Sequence, residues 1–282
     1  MPGILLRIPY IQNKVSEVAT TQLSGHLGVP VKIGNVDIEW FNRLVLEGLY
    51  LEDQDGKVMF EANHVAAGFE IMPLLEGKFV FTTVRLFGFS FNLRKHTPES
   101  PLNLQFVIDA FASKDSIKKE KNIDLRFNSI MIRRGNFSYN VDSEKETPGK
   151  FNAKHIDIKN LSAKISLKAF NKDSVNAHIK KMSFDEASGF SLNKLSLNVV
   201  GNRDSAFVQD FEVRLPQTNL KIGRARIDLS EIDSLPALLN NAPIDLNITP
   251  SQICLKDLSP FVPAFKNLSL IHISEPTRPI SI

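Results

Sequence analysis

The stretch Leu44-Val45-Leu46-Glu47-Gly48-Leu49-Tyr50-Leu51 consists of two apolar-x-apolar triplets separated by two spacer residues. In a β-strand, alternate side chains point to the same face, so each triplet presents an apolar pair to one side. A flat strand would turn the second triplet to the opposite face, because Leu46 and Leu49 are three positions apart. A β-bulge or sharp bend in the spacer restores the shared face and adds twist. The stretch therefore predicts a curved strand with one apolar face.

The same arrangement recurs along the chain, which predicts many curved strands and a mainly β fold. The further copies are Val31-x-Ile33 with Val36-x-Ile38, Phe79-x-Phe81 with Val84-x-Leu86, Phe151-x-Ala153 with Ile156-x-Ile158, Phe190-x-Leu192 with Leu195-x-Leu197, and Leu220-x-Ile222 with Ala225-x-Ile227. Asp53-Gln54-Asp55-Gly56 predicts a tight hairpin turn, and Gly135-Asn136 predicts a second turn.

A few helices are predicted at the ends of the strand segments. The first runs from Pro9 to Leu27, where Pro9 suits the first helical position and Gly28 supplies a stop. Its apolar residues recur at four-residue spacing, which is typical of a helix that caps one end of a sheet. A second helix is predicted after an N-cap at Ser100, with the apolar stripe Leu104, Val107, Ile108 and Phe111. Short helices or turns are predicted at residues 73–78, 234–240 and 259–265.

Composition and motifs exclude several functional classes. A net charge of +3 over 282 residues is too small to indicate a nucleic-acid partner. The single cysteine excludes an internal disulfide and a cysteine-based zinc site. The six histidines lack metal-ligand spacing, and the common phosphate-binding and nucleophile motifs are absent from the sequence. We therefore expect no catalytic residue, no metal, no cofactor and no enzymatic activity. The sequence also has no run of about 18 apolar residues, the length of a membrane-spanning helix.

An apolar sheet face has to be covered, and two architectures can cover it here. In a sandwich or barrel, which the pattern alone favours, the apolar faces meet each other. In an open gutter, the apolar floor instead holds the hydrocarbon of a ligand. Each buried CH₂ group contributes about 0.8 kcal/mol, so a long acyl chain could stabilise such a groove by about 10 kcal/mol.

Several stretches in the first 111 residues share their order and spacing with a known family. They are Ile8-Pro9-Tyr10-Ile11-Gln12, Leu27-Gly28-Val29-Pro30-Val31-Lys32-Ile33-Gly34-Asn35-Val36, Trp40-Phe41-Asn42-Arg43-Leu44-Val45-Leu46-Glu47-Gly48-Leu49-Tyr50-Leu51-Glu52-Asp53, Pro73-Leu74-Leu75-Glu76-Gly77-Lys78 and Val84-x-Leu86. On these residues, the chain resembles AsmA-like proteins, and specifically the Bacteroidota type of the TamB (translocation and assembly module) family. Weaker similarity, in the form of the repeated apolar pattern, continues to about Leu270.

The resemblance implies an elongated, curved antiparallel β-sheet groove, open along its length, with an N-terminal capping helix. It also implies a periplasmic location in a Gram-negative cell, with an inner-membrane anchor that would precede residue 1. The implied function is passive transport of phospholipid acyl chains toward the outer membrane. The alternative function is a scaffold for outer-membrane protein assembly, which would bind a barrel partner by strand addition at a sheet edge.

The resemblance carries over to individual residues only as apolar strand positions that would line the groove. These positions are Val36, Ile38, Leu46, Leu49, Leu51, Val84, Leu86, Phe89, Phe91, Ile130, Ile132, Ile156, Ile158, Leu195 and Leu197. We assign residues 1–28 to the helix, 29–113 to a first groove repeat and 123–269 to continuing repeats. Residues 270–282 resemble translated sequencing-adapter sequence, so we expect the natural protein to continue differently past Leu270.

Overall fold

The computed structural model describes residues 9–39, 42–70, 72, 79–111, 123–170, 174–202, 204–228, 244–268 and 270–273. Its helices are α1 (Pro9–Leu27), α2 (Gln105–Phe111) and two 3₁₀ helices (Leu255–Leu258 and Pro263–Asn267). Its strands are β1 (Val31–Lys32), β2 (Asn35–Glu39), β3 (Arg43–Glu52), β4 (Val58–Phe69), β5 (Phe79–Lys95), β6 (Ile123–Val141), β7 (His155–Phe170), β8 (Ser174–Glu186), β9 (Ser191–Asn202), β10 (Ser205–Arg214), β11 (Asn219–Asp228), β12 (Ile244–Ile248), β13 (Ser251–Cys254) and β14 (Leu270–Ile273). The prediction of a mainly β fold with few short helices is therefore confirmed.

The chain divides into two compact units, and the division falls within β7. Unit 1 comprises Met1–Thr147 and Asn152–Leu161, and unit 2 comprises Pro148–Phe151 and Ser162–Ile282. The boundary between a first groove repeat and continuing repeats, predicted at residues 113–123, stays a prediction. Within the described ranges, none of the helices has the length and apolarity of a membrane-spanning segment.

Among the strand pairs of unit 1 whose register is described, one is parallel and the others are antiparallel. β3 pairs with both β1 and β2, and β4 pairs with β3 and β5, all antiparallel. β5 and β6 are parallel over their whole paired length. A parallel pair needs a crossover connection, and the long segment between these two strands, which contains α2, provides it. An alternating apolar pattern does not reveal the direction of a neighbouring strand, so the sequence did not predict this pair.

Among the described residues, five strands contain one residue in the left-handed backbone region. These residues are Gly48, Gly88, Arg134, Asn160 and Asp210, with φ between +53° and +61°. Each is the second residue after an apolar-x-apolar triplet, as Gly48 is after the triplet that ends at Leu46. Gly48, Gly88 and Arg134 lie at the same level of the sheet, because the pairs on either side of them are in register across β3, β4, β5 and β6. We call this line of bent residues the crease.

The bend at the crease places the apolar residues before and after it on one face of the sheet, as the two-residue spacer predicted. Val31, Ile33 and Val36 form a buried cluster, and Leu44, Leu46, Leu49 and Leu51 all pack against it. The last four residues come from both sides of Gly48, so all four side chains lie on one face of the sheet. An undistorted strand would place Leu49 and Leu51 on the opposite face.

Helix α1 covers one end of this face and begins and ends at the predicted residues. Leu23 and Leu27 pack on the buried cluster of β1 and β2. The hydroxyl of Ser24 accepts a hydrogen bond from the backbone amide of Val31 at 3.0 Å. The Thr20 hydroxyl accepts one from the amide of Ile33 at 3.2 Å. Side chains of the helix therefore satisfy backbone groups of this edge strand.

In unit 2, strands β8 to β11 form an antiparallel meander in chain order. β12 and β13 both pair with β11, and β14 pairs with β13. Three of these pairings contain register shifts, at Ile179–Met182 of β8, Gln209–Glu212 of β10 and Ile222–Arg224 of β11. Residues 270–273, which open the segment assigned to the adapter-like tail, form β14, and residues 274–282 lie outside the described residues.

Four local predictions from the sequence were wrong, although the Asp53–Gly56 hairpin turn is confirmed. Gly135 and Asn136 lie inside β6 and form no turn, because the strand bends at Arg134 and stays paired with β5. The 151–153 triplet lies outside the strands, and the chain turns before β7 begins.

The other two errors concern helices. α2 begins at Gln105, so Ser100 and Pro101 precede it by a full turn, and Ile108 of its expected buried stripe is 52% exposed. A helix over residues 259–265 is replaced by the two 3₁₀ helices on either side of residue 260, the second of which begins with Pro263 at its first turn. The helices predicted at 73–78 and 234–240 lie outside the described residues.

Candidate functional site

The apolar face of unit 1 is built from rows of side chains that cross four neighbouring strands. Residues paired in register point to the same side of a sheet, so each row is continuous. The rows from β3 to β6 are Leu44, Ala67, Val84 and Ile130; then Leu46, Val65, Leu86 and Ile132; then Leu49, Ala62, Phe89 and Gly135; then Leu51, Phe60, Phe91 and Phe137. β2 extends the first two rows with Ile38 and Val36. Thirteen of the fifteen predicted lining residues are placed by the strand register, and eleven of them lie in these rows.

Aromatic rings concentrate at the end of this face that lies beyond the crease. The rings of Phe60 and Phe89 stack at 6.2 Å, and Phe60 meets Phe91 edge-on at 5.7 Å. Phe91 in turn meets Phe137 at 6.2 Å. A β-carbon on Gly135 would lie 2.3 Å from Cε1 of Phe89, so the glycine leaves the space that the ring occupies. This close approach explains Gly135 better than the turn that the sequence predicted.

The opposite face of the same sheet carries most of the polar groups, although the buried residues Val45 and Ala66 also lie on it. Its rows pair Glu47 with His64, and Tyr50 with Glu61 and Ser90. Near the crease, the guanidinium of Arg134 lies 5.5 Å from the centroid of the Phe87 ring. One side of the sheet therefore carries the continuous apolar rows, and the other carries the charges and hydrogen-bonding groups together with some apolar side chains.

The predicted lining residues are half-buried in most cases. Val36 and Phe89 are buried, and the other thirteen keep part of their surface accessible. Val36, Leu46, Leu49 and Leu51 contribute to the core under α1 or pack against it, so the helix covers their end of the face. Ile156 and Ile158 lie on β7 just before the left-handed residue Asn160.

Sequence reasoning missed the contribution of β4. Its face consists of Phe60, Ala62, Val65 and Ala67, which repeat the two-triplet spacing with Asn63 and His64 as the spacer. Alanine is a weak apolar signal because it buries little surface, so the pattern was not recognised. The cross-strand rows identify these residues unambiguously.

Unit 2 has a comparable apolar face. Its rows from β8 to β11 are Val175, Gly201, Ala206 and Ile227; then Ala177, Val199, Val208 and Ala225; then Met182, Leu195, Val213 and Leu220. The predicted lining residues Leu195 and Leu197 belong to this face, and Leu197 pairs with Ile179. At one end, the ring of Phe261 packs on Phe190 at a centroid distance of 5.0 Å.

A polar cluster fixes the end of the β3–β4 hairpin in unit 1. Asp53 is 2% exposed, and its carboxylate accepts hydrogen bonds from the side chains of Arg94 and Asn103, each at 3.0 Å. It also accepts hydrogen bonds from the backbone amides of Asp55 and Lys57. Burial raises the pKa of Asp53, but these hydrogen bonds and the Arg94 charge outweigh burial, so the pKa lies below its ordinary value. These contacts hold the end of the β3–β4 hairpin in place, and this structural role explains the cluster.

Across the ranges that the structure describes, no three histidine, cysteine, aspartate or glutamate side chains are placed to hold a metal ion. The arrangement offers apolar surface. No protein-family model matches the chain. A search of curated proteins likewise found no match.

Proposed function

We propose that the apolar sheet faces bind the hydrocarbon chains of lipids, and that the protein is a passive lipid carrier. The observation that carries this proposal is the set of continuous apolar rows on one side of the sheet in each unit. Many side chains in these rows keep accessible surface. An acyl chain lying across them would replace water on the apolar side, while its head group stays in solvent.

The energy available from such binding is sufficient for a carrier. Full burial of a CH₂ group contributes about 0.8 kcal/mol, and a chain lying on an open face buries about half of its surface. Ten methylene groups would then contribute about 4 kcal/mol, which corresponds to millimolar affinity before the head group is counted. Weak binding of this size allows a lipid to move along the surface as well as to bind it.

The cellular setting of this proposal comes from the family resemblance. We propose a periplasmic protein attached to the inner membrane, which moves phospholipid toward the outer membrane. The resemblance of the first 111 residues to the TamB family and the mainly β fold both support this setting. No nucleotide or metal takes part in the proposed mechanism.

The alternative proposal, a scaffold that pairs with outer-membrane proteins by strand addition, needs an available sheet edge. At the β1–β2 edge of unit 1, hydroxyl groups of α1 accept hydrogen bonds from the amides of Val31 and Ile33. This observation favours the carrier over strand addition at that edge.

Two adjacent residues on β5 provide a matched test of the carrier proposal. Leu86 lies in an apolar row, whereas its neighbour Phe87 pairs with His64 on the polar face and is 38% exposed. We expect Leu86→Arg to reduce co-purified lipid several-fold, because the substitution places a charge among apolar side chains. We expect Phe87→Arg to leave lipid unchanged.

The measurement is mass spectrometry of lipids extracted from protein that was purified without detergent. Circular dichroism of both variants would confirm that each one folds. Equal lipid loading of the wild type, Leu86→Arg and Phe87→Arg would contradict the proposal, as would the absence of lipid from the wild-type protein.

A further inference from the structure

A cleft of about 820 Å³ opens on unit 2 where β8, β9 and β10 approach the turn between β10 and β11. Three cationic side chains line it, one from each strand: Lys181 from β8, Lys194 from β9 and Arg214 from β10. The amides of Asn193 and Asn219 contribute neutral hydrogen-bonding groups to the same cleft. The cleft is therefore polar and rich in positive charge.

One carboxylate balances only part of this charge. Glu212 forms ion pairs with the ammonium group of Lys194 and the guanidinium of Arg214, whose Nε donates to Oε1 at 2.6 Å. The hydrogen bond from Lys194 lowers the pKa of Glu212 despite its partial burial, so the carboxylate stays ionised. Three cations and Glu212 leave about two positive charges on the wall formed by β8, β9 and β10, while at the β10–β11 turn the carboxylate of Asp257 accepts a hydrogen bond from the amide of Gln217. In the part of the chain that the structure describes, Lys181 is exposed and forms no ion pair.

Irregular strand pairing brings these residues together. Between the pairs Ile179–Leu197 and Met182–Leu195, β8 has one residue more than β9, and Lys181 lies in this bulge. Between Met182–Leu195 and Phe184–Leu192, β9 has the extra residue, and this bulge contains Asn193 and Lys194. Bulges redirect side chains away from regular alternation and are enriched near functional sites. Two successive bulges on facing strands thus direct cationic groups into one cleft.

Like charges that line one cleft repel one another, and a bound anion would reduce this repulsion. An arginine fork matches two oxygen atoms of a phosphate or carboxylate, and lysine ammonium groups add point charges. The amide groups of Asn193 and Asn219 could donate to further oxygens. A phosphate monoester carries about −1.5 to −2 charge at pH 7 and three strong acceptor oxygens, which matches this combination of cations and amide donors.

We propose that this cleft binds a phosphoryl group of a phosphate ester. The site is separate from the hydrocarbon-binding face, because Lys194 and Arg214 alternate with the apolar pair Leu195 and Val213 along the same strands. It therefore does not depend on the proposed carrier function. The phosphoryl group can belong either to a soluble phosphate ester or to a lipid head group, and the two sources are separable by experiment.

The test compares two neighbouring lysines of the full chain. Both Lys180 and Lys181 are exposed, but only Lys181 lines the cleft. Affinity for glycerol phosphate and for pyrophosphate would be measured by calorimetry at constant ionic strength. We expect Lys181→Gln to weaken binding about tenfold, since it removes one charge next to the anion. We expect less than a twofold effect from Lys180→Gln, which changes the net charge of the protein equally.

A second arm identifies the source of the phosphoryl group. Sedimentation with phosphatidylglycerol vesicles, in which pyrophosphate displaces the protein, would assign the cleft to a lipid head group. Binding of the soluble esters without vesicle binding would assign it to a soluble ligand. Either result supports the proposed site, provided that Lys181→Gln weakens the binding.

Three results would overturn the proposal. The first is no binding of either soluble ester or vesicle by the wild-type protein. The second is equal weakening by Lys180→Gln and Lys181→Gln, which would indicate nonspecific attraction by net charge. The third is vesicle binding that persists in Lys181→Gln and in excess pyrophosphate. None of these results concerns lipid loading of the Leu86→Arg variant, so the carrier proposal is tested separately.

Discussion

Substitution of Gly48 by alanine tests whether left-handed backbone geometry holds the apolar face together. Gly48 has φ +61° in the middle of β3, between the triplets that begin at Leu44 and Leu49. A β-carbon added there meets nothing closer than the backbone of Gly34 at 3.7 Å, which is ordinary van der Waals contact. Steric overlap therefore contributes little, and the cost of Gly48→Ala comes from the backbone conformation alone.

The expected size of this cost is about 1–2 kcal/mol, the penalty for an L-residue in the left-handed region. Gly25 provides a matched control, because it lies in α1 with no atom within 4 Å of an added β-carbon and with a negative φ. Gly25→Ala adds the same methyl group and should stabilise the protein by up to about 1 kcal/mol through helix propensity. The two variants should thus change stability in opposite directions.

Urea denaturation of the two variants, followed by circular dichroism and by intrinsic fluorescence, measures these changes. The two units can unfold in separate steps, so each transition should be fitted individually and midpoints compared at a common slope. If Gly48→Ala is as stable as the wild type, or as stabilised as Gly25→Ala, the bend at the crease does not require left-handed geometry. The explanation of the restored face would then be wrong.

Further outcomes follow from other parts of the structure. Asp210 occupies a left-handed position with φ +53°, so Asp210→Gly should stabilise unit 2 by about 1 kcal/mol in the same urea assay, and destabilisation would contradict this strain. The lowered pKa of Asp53 means that its contribution to stability is complete above its unfolded pKa of about 3.9 and is lost as the pH falls through the lower folded value. Melting temperatures measured from pH 6 to pH 2 should accordingly fall more steeply in the wild type than in Asp53→Asn, and parallel curves would refute the assignment. Met59 is fully buried, so Met59→Ala should cost about 2–5 kcal/mol, whereas Met72→Ala, at a residue 74% exposed, should change stability by less than about 0.5 kcal/mol; similar losses would show that burial does not decide the effect.

The sequence predicted the strands and the apolar face well where large side chains carry the pattern. Leu44, Leu46, Leu49 and Leu51 indicated one face, and the structure places all four on the same cluster. Proline at residue 9 and glycine at residue 28 defined α1 at both ends, since each acts on the backbone directly. These signals are local, so one sequence is enough to interpret them.

Predictions failed where a local signal had more than one physical cause. Gly135 suggested a turn, but the residue is small because the Phe89 ring lies against it. The face of β4 contains alanines and was not recognised, although its spacing matches that of β3. The parallel pairing of β5 and β6 depends on a crossover between distant segments. The cationic cleft of unit 2 depends on two bulges that only the pairing of β8 and β9 reveals.

In β3, the left-handed residue Gly48 produces a repeat of five residues, since Leu44 corresponds to Leu49 and Leu46 to Leu51. In a regular β-strand, insertion of an odd number of residues turns every side chain beyond the insertion to the opposite face. Here the left-handed residue in the spacer cancels that reversal. During evolution, a strand could consequently gain a whole five-residue repeat. The apolar surface would then become longer in the strand direction and stay on the same face of the sheet.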